Sequence, residues 1–352
     1  VSTAMIFGLV SLMFLDTSIN MAMQPFKMMV GDMVNEKQKG LAYSIQSFLC
    51  NAGSLVGFLF PFIFTWIGIS NIAPQGVVPD SVIYSFYIGA AILILCVIYT
   101  TVKVKEMPPA EYAEYHGITE EEKKEKINMV KLLVKAPKAF WTVGLVQFFC
   151  WFAFMFMWTY TNGSVAANVF DAPTVETVVN GANKVVLDTK SIQYQNAADW
   201  VGVLFAVQAI GSVLWAVCIP MFKNRKLIYS LSLVLGGIGF ISTYFVHNQY
   251  VLFISFLLIG CAWAAMLALP FTILTNALSG GHMGTYLGLF NGTICIPQIV
   301  AATLGGSILA LFTPKGMLPP EINMLVMAGV MLIIGAVCVY LIKETKGEQA
   351  KA

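Results

Sequence analysis

Residues 15–32 read LDTSINMAMQPFKMMVGD and lie in a strongly apolar segment, residues 5–33. Away from its ends, this segment carries two opposite charges, Asp16 and Lys27. One charged side chain at the centre of a bilayer costs about 2.5 to 3.5 kcal/mol on insertion scales, so such a charge must face protein or water. Asn20 follows Asp16 by four residues and Lys27 follows it by eleven, which places all three on one side of an α-helix. The stretch therefore predicts a membrane-spanning helix with a polar stripe.

The composition of the whole chain also indicates a membrane protein. The 352 residues are 58% hydrophobic and 11% charged, with a mean hydropathy of +0.78, whereas soluble domains carry about 25% charged residues. Nine apolar windows are long enough, at about 20 residues, to span the hydrocarbon. They are residues 4–30, 41–69, 83–102, 139–161, 200–222, 227–246, 251–276, 286–312 and 322–342. We therefore predict an all-α polytopic membrane protein with nine transmembrane helices.

The placement of cations predicts the orientation, because cytoplasmic loops are enriched in Lys and Arg. If the C-terminus is cytoplasmic, the inner loops and the tail hold 16 of the 20 Lys and Arg residues, and the outer loops hold three. The remaining cation is Lys27, inside the membrane. We expect a multi-pass protein of the inner (cytoplasmic) membrane, with the C-terminus in the cytoplasm and residue 1 outside.

A long inner loop divides the chain. Residues 103–138 hold eight lysines and seven glutamates, and such balanced charge is typical of a solvated linker. We predict three spans in residues 1–102, a cytoplasmic linker at 103–138 with an amphipathic helix near 119–134, six spans in 139–343, and a cytoplasmic tail at 344–352.

Several function classes lack support in the sequence. All seven cysteines fall inside predicted spans without paired spacing, so neither a disulfide framework nor a metal site is indicated. No nucleophile with a base and no phosphate-binding loop is present, and a net charge of +2 gives no reason to expect nucleic acid. We expect no enzyme activity, no cofactor and no metal; the lipid bilayer is the implied partner.

A faint internal repeat relates the two sides of the linker. Pro25-Phe26, Gly40, Tyr43 and Cys50 recur, about 245 residues later, as Pro270-Phe271, Gly284, Tyr286 and Cys295. Helix pairs repeated in two halves with the same orientation are typical of parallel-repeat transporters such as those of the major facilitator superfamily.

Four stretches resemble the plant sucrose transporters and the related glycoside-pentoside-hexuronide cation symporters of that superfamily. They are residues 15–32, 147–161, 262–271 and 283–298. In the first stretch, those transporters carry an aspartate, an asparagine, a proline, an arginine and a second aspartate at the spacing of Asp16, Asn20, Pro25, Lys27 and Asp32. The resemblance implies a major facilitator fold of twelve helices, of which nine are present and the first three precede this chain.

The resemblance also implies a function, which is proton-coupled uptake of a disaccharide or glycoside similar to maltose or sucrose. Asp16 is the expected proton carrier, and Lys27 is expected to contact sugar hydroxyls or to exchange partners with that carboxylate. Relatives have arginine at the position of Lys27, and lysine cannot form the planar two-pronged contact of arginine. Asp32, at the inner end of the helix, is expected to act in gating.

Polar and aromatic side chains at helical spacing predict the sugar site. Gln147, Trp151 and Trp158 share one helix face, as do Asn291 and Gln298 on a later helix. A third polar strip holds Ser47, Asn51 and Ser54. Our predicted substrate-binding residues are Asn20, Asn51, Gln147, Trp151, Trp158, Asn291 and Gln298.

Two alternatives stay open at this stage. The polar strips are also compatible with hydrogen bonding between packed helices, and the two charges with a structural ion pair. The chain would then be a major facilitator carrier for another small solute, such as a drug or metabolite exporter.

Overall fold

The structure is a computed structural model that describes residues 3–35, 37–69, 80–106, 108, 110–111, 114, 129–179, 182–278 and 283–342. Helices dominate this part of the chain. They are α1 (Thr3–Met33), α2 (Lys39–Trp66), α3 (Asp80–Lys103), α4 (Met129–Val134), α5 (Lys138–Asn168), α6 (Ile192–Cys218), α7 (Arg225–Ser242), α8 (Leu252–Ala277), α9 (Met283–Phe290), α10 (Gly292–Phe312) and α11 (Ile322–Cys338). Most of the predicted linker helix and the whole predicted tail lie outside the described residues.

The described residues form eight helical segments that are long and apolar enough to cross a membrane. Each coincides with one predicted window, and α9 and α10 together form one of them. The remaining window, residues 41–69, is occupied by α2, which has 28 residues but is not among the eight. The prediction of nine spans thus corresponds to eight candidate spans and one further long helix.

A β-hairpin between α5 and α6 departs from the all-α prediction. Strands β1 (Thr174–Val179) and β2 (Ala182–Leu187) pair antiparallel, with Thr174 opposite Leu187. Both strands are rich in valine, and the first also carries threonines, residue types that favour extended backbone. From their polar, mixed composition, residues 162–198 are expected to be a long outer loop, and the strands within it were not predicted.

Helices α5 to α11 pack closely through glycines. A Cβ atom added to Gly211 of α6 would lie 2.5 Å from the main-chain oxygen of Leu257 on α8. A Cβ atom added to Gly237 of α7 would lie 2.9 Å from the main-chain oxygen of Gly329 on α11. Small residues permit such close approach of membrane helices, where van der Waals packing drives association.

Two groups of helices, α1 to α3 and α5 to α11, contact each other mainly through α2. It packs against both α6 and α8, whereas the apolar window of α1 contains no buried residue. We call the end where α5 ends and α6 and α11 begin the hairpin end, and the opposite end the linker end. At the linker end, Lys39 Nζ donates to the main-chain oxygen of Thr275 at 3.5 Å, and Met28 lies against Gly284. The two groups of helices are therefore in contact at the linker end.

Candidate functional site

Lys27 lies where α1 meets α8. Its Nζ atom is 4.1 Å from the centroid of the Phe271 ring, and Tyr43 of α2 donates its hydroxyl to the main-chain oxygen of Lys27 at 3.1 Å. A cation over an aromatic face gains about 0.5 to 2 kcal/mol, more when water is excluded. The Phe271 ring therefore offsets part of the hydration that Lys27 loses in this position.

Asp16 and Lys27 do not pair with each other. Both belong to the continuous helix α1, and eleven residues at about 1.5 Å each separate them by about 16 Å along its axis. Among the described residues, no carboxylate forms an ion pair with Lys27. The two charged groups are therefore not in contact in this structure.

Asp16 is close to a different helix, α10. Its side chain is exposed and interacts electrostatically with Cys295 of α10. The Nδ2 atom of Asn291, also near this point of α10, lies 3.8 Å from the Sγ atom of Cys295. Asn20, one turn after Asp16, donates its side-chain amide to the main-chain oxygen of Asp16 at 2.9 Å. The Asp16 carboxylate is thus within electrostatic range of the start of α10, close to Asn291.

Gln147 owes its position to a proline on the neighbouring helix. Pro270 lies inside α8 and has no N–H group, so the main-chain oxygen of Met266, four residues earlier, lacks its helical donor. Gln147 Nε2 of α5 donates to that oxygen at 2.9 Å. This contact fixes the orientation of the amide, because only its nitrogen can donate. The Oε1 atom of Gln147 is left buried without a partner in the described structure.

The polar side chains of α2, Ser47, Asn51 and Ser54, also differ in their hydrogen bonds. Ser47 donates its hydroxyl to the main-chain oxygen of Ala264 on α8 at 3.3 Å, which is a contact between helices. Asn51 is 1% exposed and donates Nδ2 to the main-chain oxygen of Ser47 at 2.7 Å, but its Oδ1 atom is buried without a described partner. Ser54 bonds back to Cys50 within its own helix.

A cluster of aromatic rings lies between α5 and α8. The ring of Trp263 on α8 is 5.7 Å from Trp151, 5.7 Å from Trp158 and 4.9 Å from Phe154, measured between centroids. Trp151 and Trp158 are 6.4 Å apart, and the Nε1 atom of Trp151 is buried without a described partner. Trp158 remains 44% exposed. We call Trp151, Phe154, Trp158 and Trp263 the aromatic cluster.

Trp263 was missed by the sequence analysis. It lies in one of the stretches that carry the family resemblance, but no other polar or aromatic residue marks its face of the helix at a spacing of three or four residues. Only the packing of α8 against α5 brings it to Trp151. The position of Trp263 near Trp151 therefore follows from helix packing and not from a local sequence pattern.

The remaining predicted site residues are placed as follows. Asn291 is the residue between α9 and α10. Gln298 follows it by seven residues on α10, is partly buried, and forms no hydrogen bond with the described residues. The main chain of Asp32 belongs to the last turn of α1, but its side chain is outside the described part, so its predicted gating role is not addressed. No group of three His, Cys, Asp or Glu among the described residues could hold a metal.

Three buried polar atoms of the predicted site residues on α2 and α5 have no hydrogen-bond partner in the described structure, and one of them belongs to the aromatic cluster. Gln147 Oε1 and Asn51 Oδ1 are acceptors, and Trp151 Nε1 is a donor. Leaving such a group buried and unpaired costs about 1 to 3 kcal/mol, so these atoms favour a polar ligand or water. Amide groups and indole rings together suit a ligand with hydroxyl groups around an apolar ring.

Comparisons with known proteins agree with this architecture. The sequence matches the family model of the Major Facilitator Superfamily over residues 3–182 and 165–352. No curated protein matches the sequence. Among solved structures, the chain is similar to the crystal structure of the E. coli fucose:proton symporter, with a TM-score of 0.59, 14% sequence identity, and coverage of 93% of this chain and 74% of that one. At this identity the similarity shows the fold, and it confirms the predicted helical membrane architecture.

Proposed function

Because the chain belongs to the major facilitator superfamily, we propose that it is a secondary active transporter that carries a sugar together with a proton. Two groups of helices would move around a central site, so that the site opens to one side of the membrane at a time. The observation that carries the sugar part is the set of unpaired polar atoms beside the aromatic cluster. The E. coli protein with a similar fold is a fucose:proton symporter, which supports the same class.

The proposed substrate is a disaccharide or glycoside similar to maltose or sucrose. The three indole rings of Trp151, Trp158 and Trp263 contact one another at tilted or edge-to-face angles. Together they offer more aromatic surface than one ring, which would suit more than one sugar unit. Gln147 Oε1 and Asn51 Oδ1 would accept hydrogen bonds from sugar hydroxyls, and Trp151 Nε1 would donate one. Asn20, Asn291 and Gln298 are the further proposed contacts, on α1 and on the α9–α10 segment.

Asp16 is the proposed proton carrier. A charged carboxylate at membrane depth is unfavourable unless water or a cation compensates it, and no cation among the described residues pairs with Asp16. Protonation when the site opens to the more acidic side would remove that cost. Lys27, about 16 Å away along α1, would hold the substrate at the linker side instead of neutralising Asp16.

Proton movement that depends on sugar tests this proposal. Adding a glycoside to proteoliposomes that contain the full-length protein should make the external medium more alkaline, as protons enter with the sugar. The substitution Asp16→Asn should abolish that signal, whereas Asp80→Asn, at the exposed start of α3, should leave it intact. A normal glycoside-dependent signal in Asp16→Asn would remove Asp16 from the coupling role.

A second candidate function is transport of another small solute, and one observation favours it. Lys27 faces the ring of Phe271 and has no carboxylate partner among the described residues, and an uncompensated cation in a binding site favours an anionic substrate. A metabolite carrier would use Lys27 in that way. Exchange of an anionic metabolite that neutral disaccharides do not compete with would favour this candidate.

A further inference from the structure

Glu321 is a carboxylate outside the site described above. It immediately precedes α11 at the hairpin end and just before the candidate span Ile322–Leu341. It is partly buried, and its carboxylate lies against Gly163 of α5, so closely that a Cβ atom added there would overlap both carboxylate oxygens. The Glu321 carboxylate can occupy this position only because Gly163 has no side chain.

No cation among the described residues pairs with the Glu321 carboxylate. None of the described lysines, and neither Arg225 nor His247, forms an ion pair with Glu321. The titratable group that interacts with it electrostatically is Tyr160, one turn earlier on α5, which carries no positive charge. The start of a helix favours an anion, but the Glu321 side chain makes no capping hydrogen bond to the first turn of α11. Burial raises the pKa of Glu321 to about 7.

We propose that Glu321 is a proton-binding site at the hairpin end, separate from Asp16, and that its protonation controls how closely the start of α11 packs against α5. A neutral carboxyl group can remain in the space above Gly163 without a counter-ion. An ionised carboxylate loses its hydration there, so it favours water entry or movement of the start of α11 away from α5.

The direction of the pH effect follows from the raised pKa. The packed form holds a proton at pH values where a solvated glutamate has lost it, so packing binds a proton and becomes weaker as the pH rises. The additional packing is fully present at acidic pH and is lost as the pH rises through about 7. If the hairpin end is the outer one, as the cation distribution predicts, the site responds to external protons. The proposal does not depend on which substrate the transporter carries.

The protonation can be measured directly with the full chain in lipid nanodiscs. Dicyclohexylcarbodiimide modifies protonated carboxyl groups in apolar surroundings, and mass spectrometry identifies the modified residue. Modification of Glu321 should decrease with rising pH, with a midpoint near 7. The substitution Gly163→Ala should displace the carboxylate into water and move the midpoint to lower pH. The matched control is Gly202→Ala on α6, because a Cβ atom there meets no neighbour within 4 Å, and it should leave the midpoint unchanged.

The packing of α11 needs a second readout. Amide hydrogen exchange in the first turns of α11, corrected for the intrinsic effect of pH on exchange, should become faster between pH 6 and pH 8. Glu321→Gln keeps the size of the neutral group and should remain protected at both pH values. A modification midpoint below pH 5.5, an unchanged midpoint in Gly163→Ala, or the same pH-dependent exchange in Glu321→Gln would each overturn the proposal.

Discussion

The hydrogen bond between Gln147 and the main-chain oxygen of Met266 leads to a quantitative prediction about stability. Met266 is fully buried and Gln147 is 1% exposed, so Gln147→Leu leaves that oxygen without a donor and without water. An unsatisfied buried carbonyl costs about 1 to 3 kcal/mol in soluble proteins. Side-chain hydrogen bonds between membrane helices average about 0.6 kcal/mol, with a maximum near 1.7. We expect a loss of about 1 kcal/mol in the free energy of unfolding.

The proline explains why this contact exists, and it supplies the control. In Pro270→Ala the amide restored at position 270 can donate to the oxygen of Met266, so Gln147→Leu should cost little in that background. The two changes should therefore be coupled by about 1 kcal/mol, within the range found for residues that share a hydrogen bond. Pro25→Ala, on α1, is the matched proline variant and should not couple to Gln147→Leu.

Unfolding in mixed micelles of increasing sodium dodecyl sulfate provides the assay. The coupling energy follows from the shifts in the unfolding midpoint of Gln147→Leu, Pro270→Ala and the double variant. Pro25→Ala, alone and combined with Gln147→Leu, is measured in the same way as the control. If Gln147→Leu costs the same with and without Pro270, the Gln147 side chain does not substitute for the missing amide of residue 270.

Three further predictions concern other parts of the site and the core. Trp263→Ala should weaken sugar binding by about 2- to 10-fold in counterflow measurements, since an aromatic contact contributes about 0.5 to 1.5 kcal/mol. Trp263→Phe should restore part of that affinity. Equal affinity in all three proteins would exclude Trp263 from the site. Lys27→Gln should raise the sugar KM more than Lys27→Arg does, because arginine keeps the charge over Phe271; equal effects of the two changes would show that charge is not what matters. Gly211→Ala should lower the melting temperature, because its Cβ would lie 2.5 Å from a main-chain oxygen of α8. Gly202→Ala on the same helix should leave the melting temperature unchanged. Equal melting temperatures of the two variants would contradict the close packing of α6 on α8.

The hydrophobic windows were sufficient to predict the helices. Each predicted window is occupied by helix in the structure, because about 20 consecutive apolar residues leave a membrane chain little alternative to satisfying its backbone internally. The separation of Asp16 from Lys27 was also available from the sequence, since the helical rise alone gives about 16 Å. The two charges share a face, but that fact does not bring them into contact.

Other features depend on contacts between distant residues. The role of Gln147 depends on a missing donor 123 residues later, at Pro270, and Trp263 reaches the aromatic cluster only because α8 packs against α5. The space for Glu321 depends in the same way on Gly163 of another helix. A hydrophobic pattern records which face of a helix is apolar, but it does not record which helix covers that face.

Proton-coupled sugar transport can be tested by counterflow of labelled maltose and sucrose, at two external pH values, in proteoliposomes that contain the full-length protein. A proton-coupled sugar transporter should exchange at least one of these sugars, with faster exchange at the lower external pH. Well-folded protein that exchanges neither sugar, nor any other disaccharide or glycoside, would contradict the sugar assignment and favour a carrier for another solute.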